Sequence, residues 1–245
     1  MMDSNLSIAK FIKQRNIKWL CHFTPRANLE NIKKEGLKPR DLINCQYAYT
    51  DAVRYDTASN SICLSISQPN VWMLSKKIKE GSDLCLLLIN SSVLYEKECL
   101  FYPHNAATKS YKGLPLENFK GVSALEKLFD DEITYQKSGL EPQTIFRDDK
   151  KSFLTTSEQA EVQCLEIIET KYIDYIIEND ILLDYEELES KITLGEIKPF
   201  GIDRSKNSIK IGGLDEPKLP QNSSKKNRYR GTSILDLINL GVIKE

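Results

Sequence analysis

The apolar run Leu84 to Ile89 is the feature that most constrains the fold of this chain. It contains no polar residue and is too short for a typical helix, so it predicts a β-strand that is buried on both faces. Further strands are predicted at Trp19 to Phe23 and at Ile62 to Ser67, while Ile173 to Ile177 is compatible with a strand or the start of a helix. None of these runs approaches the roughly 20 apolar residues of a membrane-spanning helix, so we expect no membrane association.

Amphipathic helices are predicted between these strands, over residues 7–16, 28–35, 69–79 and 123–129. Gly36 follows the second helix and suits the left-handed position just beyond a helix end. Residues 38–60 and 136–159 are polar and lack periodicity, so we interpret them as long loops. Long loops in a compact domain are often functional. The turn-rich residues 101–108 are a further candidate for an active-site segment.

Composition and charge argue against a disordered protein, a metal site, a secreted protein and a strong overall attraction to nucleic acid. The chain has 245 residues, 40% hydrophobic and 28% charged, which is typical of a globular protein. Its net charge of −1 gives no global attraction to nucleic acid, so any such binding needs a local basic patch. Six cysteines occur without a CxxC pair, which predicts reduced core thiols and no metal site. The first residues lack the pattern of a signal peptide, so we expect a cytoplasmic protein.

The character of the chain changes after residue 185, which predicts two regions. Residues 1–185 would form the main domain, and residues 186–245 a basic extension that contains Gly, Pro and Ser. The extension includes the basic string Lys225 to Arg230. It ends in a short capped helix over residues 232–241.

Two residues stand at positions suited to chemistry. Glu161 precedes the apolar strand that begins at Val162, so its carboxylate can face a cleft while its backbone stays rigid. His22 is one of only two histidines and lies within the first predicted strand. Taken alone, each has an ordinary interpretation, as a strand-edge surface carboxylate and as a half-buried histidine.

Four segments, in order over residues 15–180, resemble the DarT family of DNA ADP-ribosyltransferase toxins. They are Cys21 to Thr24 with Asn28-Leu29 and Ile32 to Leu37, similar to a strand and an "NL..I...GL" helix; Arg54 with Pro69 to Leu74, similar to "P..PML"; Phe101 to Ala107, similar to "F..GNA"; and Gln159 to Val162, similar to "AE". The resemblance implies an α+β fold with an ADP-ribosyltransferase-like split β-sheet core, surrounding helices and a small C-terminal extension.

The resemblance also implies NAD as co-substrate, without a metal. Glu161 would be catalytic, stabilising the positive charge that develops on the ribose and accepting the proton of the attacking base. Arg54 would be catalytic and would bind the pyrophosphate, for which a guanidinium is a natural partner. The NAD-binding residues would be His22, Thr24, Asn28, Tyr47, Arg54 and Asn105, with His22 at the adenosine ribose or the nicotinamide amide.

The implied acceptor is a base in single-stranded DNA, contacted by Phe146, Arg147 and His104. Phe146 and Arg147 precede Glu161 at the position of a target-recognition loop, and an ordinary solvated loop remains the alternative. The family is paired with a macrodomain antitoxin, which we expect as a partner. Two other functions stay open: an ADP-ribosyltransferase acting on RNA or protein, and a non-catalytic nucleotide-binding module on the same fold.

Overall fold

An antiparallel β-sheet of six strands organises the fold of the computed structural model, which describes residues 2–49 and 60–201. In chain order the strands are β1 (Trp19–Pro25), β2 (Ile62–Ile66), β3 (Leu84–Asn90), β4 (Cys99–Tyr102), β5 (Glu132–Tyr135), β6 (Gln143–Phe146), β7 (Glu161–Cys164) and β8 (Ile173–Ile177). The order across the sheet is β4-β7-β2-β1-β3-β8, while β5 and β6 form a separate two-stranded hairpin.

Within residues 2–49 and 60–201, six α-helices accompany the strands. They are α1 (Met2–Arg15), α2 (Leu29–Glu35), α3 (Val71–Lys79), α4 (Val93–Glu96), α5 (Gly121–Glu126) and α6 (Tyr185–Thr193). The helices and the connecting loops surround the central sheet, so the predicted α+β class is confirmed. No helix in residues 2–49 and 60–201 combines the length and the hydrophobicity needed to cross a lipid bilayer.

Strand β3, which lies between β1 and the edge strand β8, is buried on both faces, as its apolar sequence predicts. Cys85, Leu87 and Ile89 belong to one core cluster, which also contains residues of α1 and α5. Leu84, Leu86 and Leu88 belong to a second cluster, with residues of α3 and α6. Because side chains alternate along a strand, a strand between two cores must be apolar at every position.

The sheet is split between β1 and β2. These strands pair only at Leu20–Ile66 and Cys21–Ser65, whereas β1 pairs with β3 along its whole length. Beyond Cys21 the two strands therefore separate and leave a cleft within the sheet. One contact spans the cleft, because Nδ1 of His22 lies 2.8 Å from the carbonyl oxygen of Cys63. A carbonyl only accepts hydrogen bonds, so Nδ1 carries the proton.

Several elements differ from the sequence-based expectations, and α4, β5 and α6 are not among the predicted elements. The predicted loop 136–159 contains β6, whose residues are mostly exposed and so lack an apolar alternation. The turn-rich segment 101–108 begins within β4, which is fully buried. The strand that begins at Glu161 ends at Cys164, although its apolar character continues to Ile168. The segment 173–177 is a strand.

Helix α6 completes the second core cluster. Leu188 is fully buried, and the ring of Tyr185 stacks on Trp19 and Phe153 at centroid distances of 5.0 and 4.0 Å. The predicted domain boundary at residue 185 stays a prediction, although α6 beyond it packs into the same core as β1. The basic string at 225–230 and the helix predicted at 232–241 lie outside the described residues.

Candidate active site

A cavity of about 210 Å³ opens where β1 and β2 separate. Its walls come from both strands, from the loop after α2, from the start of α3, from Asn105 and from the residues just before β7. The lining includes Cys21 to Pro25, Lys38, Arg40, Tyr47 to Tyr49, Ser61 to Ser65, Asn70, Met73, Asn105 and Gln159 to Glu161. Five of the residues predicted from the sequence to form a site therefore meet in one cavity: Glu161, His22, Thr24, Tyr47 and Asn105.

Both carboxylate oxygens of Glu161 accept hydrogen bonds from the protein. The backbone N–H of Ala106 donates to Oε2 at 3.0 Å, and the side-chain Nε2 of Gln163 donates to Oε1 at 3.0 Å. The backbone of Glu161 is held by its pairing with Tyr102 on β4. The half-buried carboxylate is thus fixed in position while it borders the cavity.

The turn after β4 is shaped so that the Ala106 N–H points to this carboxylate. The side-chain oxygen of Asn105 accepts a hydrogen bond from the N–H of Ala107 at 3.0 Å. The carbonyl of Asn105 accepts from the N–H and the hydroxyl of Thr108, at 3.0 and 2.9 Å. A side chain of this kind, bonded to its own backbone two residues on, is a common way to fix a tight turn. The turn predicted as an active-site segment therefore borders the cavity.

His22 and Thr24 lie two residues apart on β1, so both side chains face the cavity. Thr24 is almost fully buried, and its hydroxyl lies 3.3 Å from the hydroxyl of Tyr47. Burial raises the pKa of Tyr47, so this phenol stays protonated and can donate. The contact between Thr24 and Tyr47 connects β1 to the loop that carries Tyr47.

Asn28 supports the site from behind and does not line the cavity. Its Nδ2 donates to the carbonyl of Ala48 at 2.8 Å, and its Oδ1 accepts from the N–H of Ala48 at 2.8 Å. Nδ2 also lies 3.0 Å from the hydroxyl of Thr24. The buried amide thereby pairs with Ala48 as a neighbouring strand would, and it holds the loop that carries Tyr47 against β1.

Positively charged side chains line the cavity in addition to the Glu161 carboxylate. Lys38 and Arg40 are the cationic residues among the described part of the lining. The guanidinium of Arg40 lies 4.5 Å from the ring centroid of Tyr49, which holds it on that side of the loop. Arg54, predicted to be catalytic and to bind NAD, lies outside the described residues. Within residues 2–49 and 60–201, no three His, Cys, Asp or Glu side chains group as metal ligands.

His104 does not face the cavity or the surface. It is fully buried, its ring stacks on Tyr135 at 3.7 Å, and Nδ1 lies 2.7 Å from the hydroxyl of Ser157. Burial lowers the pKa of His104 to about 4, with a smaller contribution from Lys137. In this structure its side chain therefore has no surface that a nucleic acid could contact.

Neither Phe146 nor Arg147 lines the cavity, and the two side chains differ in their contacts with the rest of the protein. Phe146 is 57% exposed on β6. Arg147 donates to the carbonyls of Leu154 and Lys151 at 3.0 and 2.8 Å, and to the hydroxyl of Thr156 at 3.2 Å. The guanidinium thus holds together the loop that leads to Glu161, which leaves Phe146 as the exposed member of the predicted pair.

The sequence analysis did not identify Gln163, Asn70 or Met73 as part of the site. Gln163 lies two residues after Glu161 on the same strand, so the period-two alternation could have placed both on one face. Asn70 caps α3 by accepting a hydrogen bond from the N–H of Met73 at 3.0 Å, and both residues line the cavity. A capping Asn before a helix is readable in a sequence, but its proximity to β1 is not.

Comparisons with known proteins give few matches. No family model matches the chain, and no match was found among curated proteins. Among solved structures, it is similar to Thermosipho africanus DarTG in complex with ADP-ribose, at 15% sequence identity and a TM-score of 0.39. The alignment covers 72% of this chain and 47% of that chain, so this chain spans about half the length of that protein.

Proposed function

We propose that the protein is an NAD-dependent ADP-ribosyltransferase that modifies a base in single-stranded DNA, as the toxin of a toxin–antitoxin or phage-defence system. The proposal starts from the sequence resemblance. The observation that carries it further is the Glu161 carboxylate, which is hydrogen-bonded on both oxygens and borders the same cavity as His22 and Thr24.

A fixed carboxylate suits the chemistry of ADP-ribosyl transfer. NAD supplies a ribose whose bond to nicotinamide breaks with the electron pair leaving on the neutral nicotinamide. Glu161 would stabilise the positive charge that grows on the ribose, because its negative charge is in place before the reaction begins. A nitrogen of the acceptor base would form the new bond to the anomeric carbon, and its proton would pass to Glu161 as general base.

The remaining lining residues suit the other parts of NAD. His22 and Thr24 offer hydrogen-bonding groups for a ribose or an amide, on a strand whose backbone is fixed by β3. Lys38 and Arg40 offer positive charge for a diphosphate. Arg54 belongs to the same loop region in sequence, and we assign it to the pyrophosphate because a guanidinium can bind two phosphate oxygens at once.

For the acceptor, Phe146 is the contact that we propose on the hairpin. Its exposed ring can stack on a base, which every base tolerates because each has a flat aromatic face. Arg147 would act by holding the loop between the hairpin and Glu161. A macrodomain antitoxin that removes the modification remains the proposed partner, on the basis of the resemblance.

The test is the variant Glu161→Gln, which keeps the shape of the side chain and removes its charge. We expect transfer from labelled NAD to single-stranded oligonucleotide to be abolished while NAD affinity, measured by calorimetry, stays close to that of the parent. Glu126→Gln, which changes an exposed carboxylate on α5, serves as the matched control. Transfer within tenfold of the parent would remove Glu161 from the mechanism.

The acceptor is tested in the same assay with single-stranded DNA, duplex DNA, RNA and cell lysate, followed by mass spectrometry. An added mass of one ADP-ribose on a nucleoside of the single strand is expected. Modification confined to RNA or to protein would favour the alternative acceptors. NAD binding without any cleavage would favour the non-catalytic module.

A further inference from the structure

A second surface, next to the candidate active site, has no role in the proposed NAD chemistry. It is a groove of about 550 Å³, lined by Val71, Trp72, Ser75, Lys76, Lys79, Glu80 and Glu158. Trp72 is 57% exposed, although a tryptophan at this spacing on a helix is ordinarily a core residue. An exposed aromatic ring of this size marks a surface that meets another molecule more often than an isolated Leu or Val does.

The groove and the cavity are two sides of one wall. On α3, Val71 and Trp72 line the groove, while the adjoining Asn70 and Met73 line the cavity. On the segment before β7, Glu158 lines the groove and the next three residues line the cavity. Glu158 lies three residues before Glu161, and consecutive Cα atoms are about 3.8 Å apart, so the groove begins close to Glu161.

One stripe of α3 supplies both an aromatic face and positive charge. Trp72, Lys76 and Lys79 are spaced at i, i+4 and i+7, so they lie on the same side of the helix. The ammonium of Lys76 lies 5.7 Å from the centroid of the indole ring. Its contact with Glu80 is 3.9 Å long between half-exposed groups, which is a weak ion pair that a ligand can displace.

The groove offers one aromatic ring beside two lysines. A short length of single-stranded nucleic acid matches this chemistry, because it offers a flat base for the indole and phosphates for the lysines. Among the residues of the groove, Glu158 is the acidic residue closest in sequence to Glu161, and Lys150 at 3.9 Å offsets its charge.

The groove lies next to the candidate active site and contains an aromatic ring and two lysines. We therefore infer that this surface, the Trp72 groove, binds the single strand of nucleic acid that flanks the modified base. The inference rests on the proposed function for its biological meaning, and it adds a binding site on α3 to the acceptor contact at Phe146. Trp72 would stack on a neighbouring base, and Lys76 and Lys79 would contact the adjoining phosphates.

Tryptophan fluorescence gives a direct test on the full chain. The protein contains two tryptophans, and Trp19 is buried at 6% exposure against Tyr185. Titration with a single-stranded DNA oligonucleotide, without NAD, should therefore quench the emission of Trp72. Quenching should weaken with added salt, because phosphate contacts release counterions. Unchanged emission at saturating oligonucleotide would overturn the inference.

Variants separate stacking from charge. Trp72→Ala should weaken oligonucleotide binding, measured by anisotropy of a labelled strand, by about 5- to 150-fold, the range for one base–aromatic stack. Trp72→Phe should keep most of the affinity. Lys76→Ala with Lys79→Ala should reduce the salt dependence. Leu194→Ala, which removes an exposed apolar side chain elsewhere, is the control. Binding of Trp72→Ala within twofold of the parent would refute the assignment.

The outcome can be separated from that of the proposed function. Trp72→Ala should still cleave NAD in the absence of an acceptor, because Trp72 does not line the cavity. If the parent binds the strand through Trp72 but modifies nothing, the proposed function fails and the groove stands. If Trp72→Ala modifies DNA at the parental rate, the groove is wrong and the proposed function stands. Modification of protein alone, without quenching, would contradict both.

Discussion

Replacing Gln163 by Met should slow the proposed ADP-ribosyl transfer without weakening the proposed NAD binding. Gln163 is fully buried on β7, and its Nε2 donates to Oε1 of Glu161 at 3.0 Å. Met has a similar length and shape but no N–H to donate, so the variant removes this hydrogen bond and retains the packing. Gln163 does not line the cavity, so it acts on the reaction only through the position of the Glu161 carboxylate.

The size of the effect follows from the surroundings of Glu161. A hydrogen bond to a charged group contributes about 1.5–3 kcal/mol, which corresponds to a factor of roughly 10 to 150 in rate. Glu161 is half-buried and keeps its bond from the Ala106 N–H, so water and the second donor compensate in part. We therefore expect a decrease near the lower end, about tenfold in kcat, with the Kd for NAD unchanged.

The assay is transfer of label from NAD under saturating acceptor, together with calorimetric titration of NAD. Gln14→Met is the matched control, because Gln14 is exposed on α1, a helix that does not line the cavity. A kcat within twofold of the parent would refute the positioning role. A fall in kcat accompanied by an equal loss of NAD affinity would indicate general damage to the site instead.

Three further predictions test other parts of the molecule. Arg54→Ala should weaken NAD binding by about 1.5–3 kcal/mol by calorimetry, and an unchanged Kd would return Arg54 to an ordinary surface role. The melting temperature should fall between about pH 7 and pH 4, because the pKa of His104 drops from 6.5 to about 4 on folding and the folded state favours the neutral ring. His104→Asn should flatten that part of the profile, and an equal slope would refute the assignment. Gly36→Ala should lower the free energy of unfolding by more than about 1 kcal/mol, because φ is +77° and the added Cβ would lie 2.3 Å from the carbonyl oxygen of Ile168. Gly139→Ala has the same φ with nothing within 4 Å, so a loss as large as that of Gly36→Ala would contradict the steric explanation.

Elements with a strong local pattern could be predicted from the sequence. The apolar run of β3 indicated burial on both faces, and both cores are present. By contrast, β5 and β6 form an isolated hairpin whose outward residues are polar or exposed, so no alternation marks β6. Helix α6 was missed because it lies where the composition changes, although its buried residues are readable once its start is known.

The candidate site was predictable in its residue types and not in its contacts. Glu161 precedes a strand, which a single sequence shows. The N–H that binds its carboxylate comes from Ala106, 55 residues earlier, and no local pattern connects the two. Arg147 illustrates the converse, since a loop arginine that suggests ligand binding instead binds carbonyls of its own loop.

The stack of Trp19, Tyr185 and Phe153 can form only late in the synthesis of the described residues. A chain leaves the ribosome from its N-terminus, and domains generally fold as units. Here β1, the strand that carries His22, leaves early, while Tyr185 and Leu188 close the core against Trp19 only after almost all of the described residues have emerged. A nascent or prematurely terminated polypeptide that lacks α6 would therefore leave Trp19 and Phe153 uncovered, and β1 would lack part of the core that supports it.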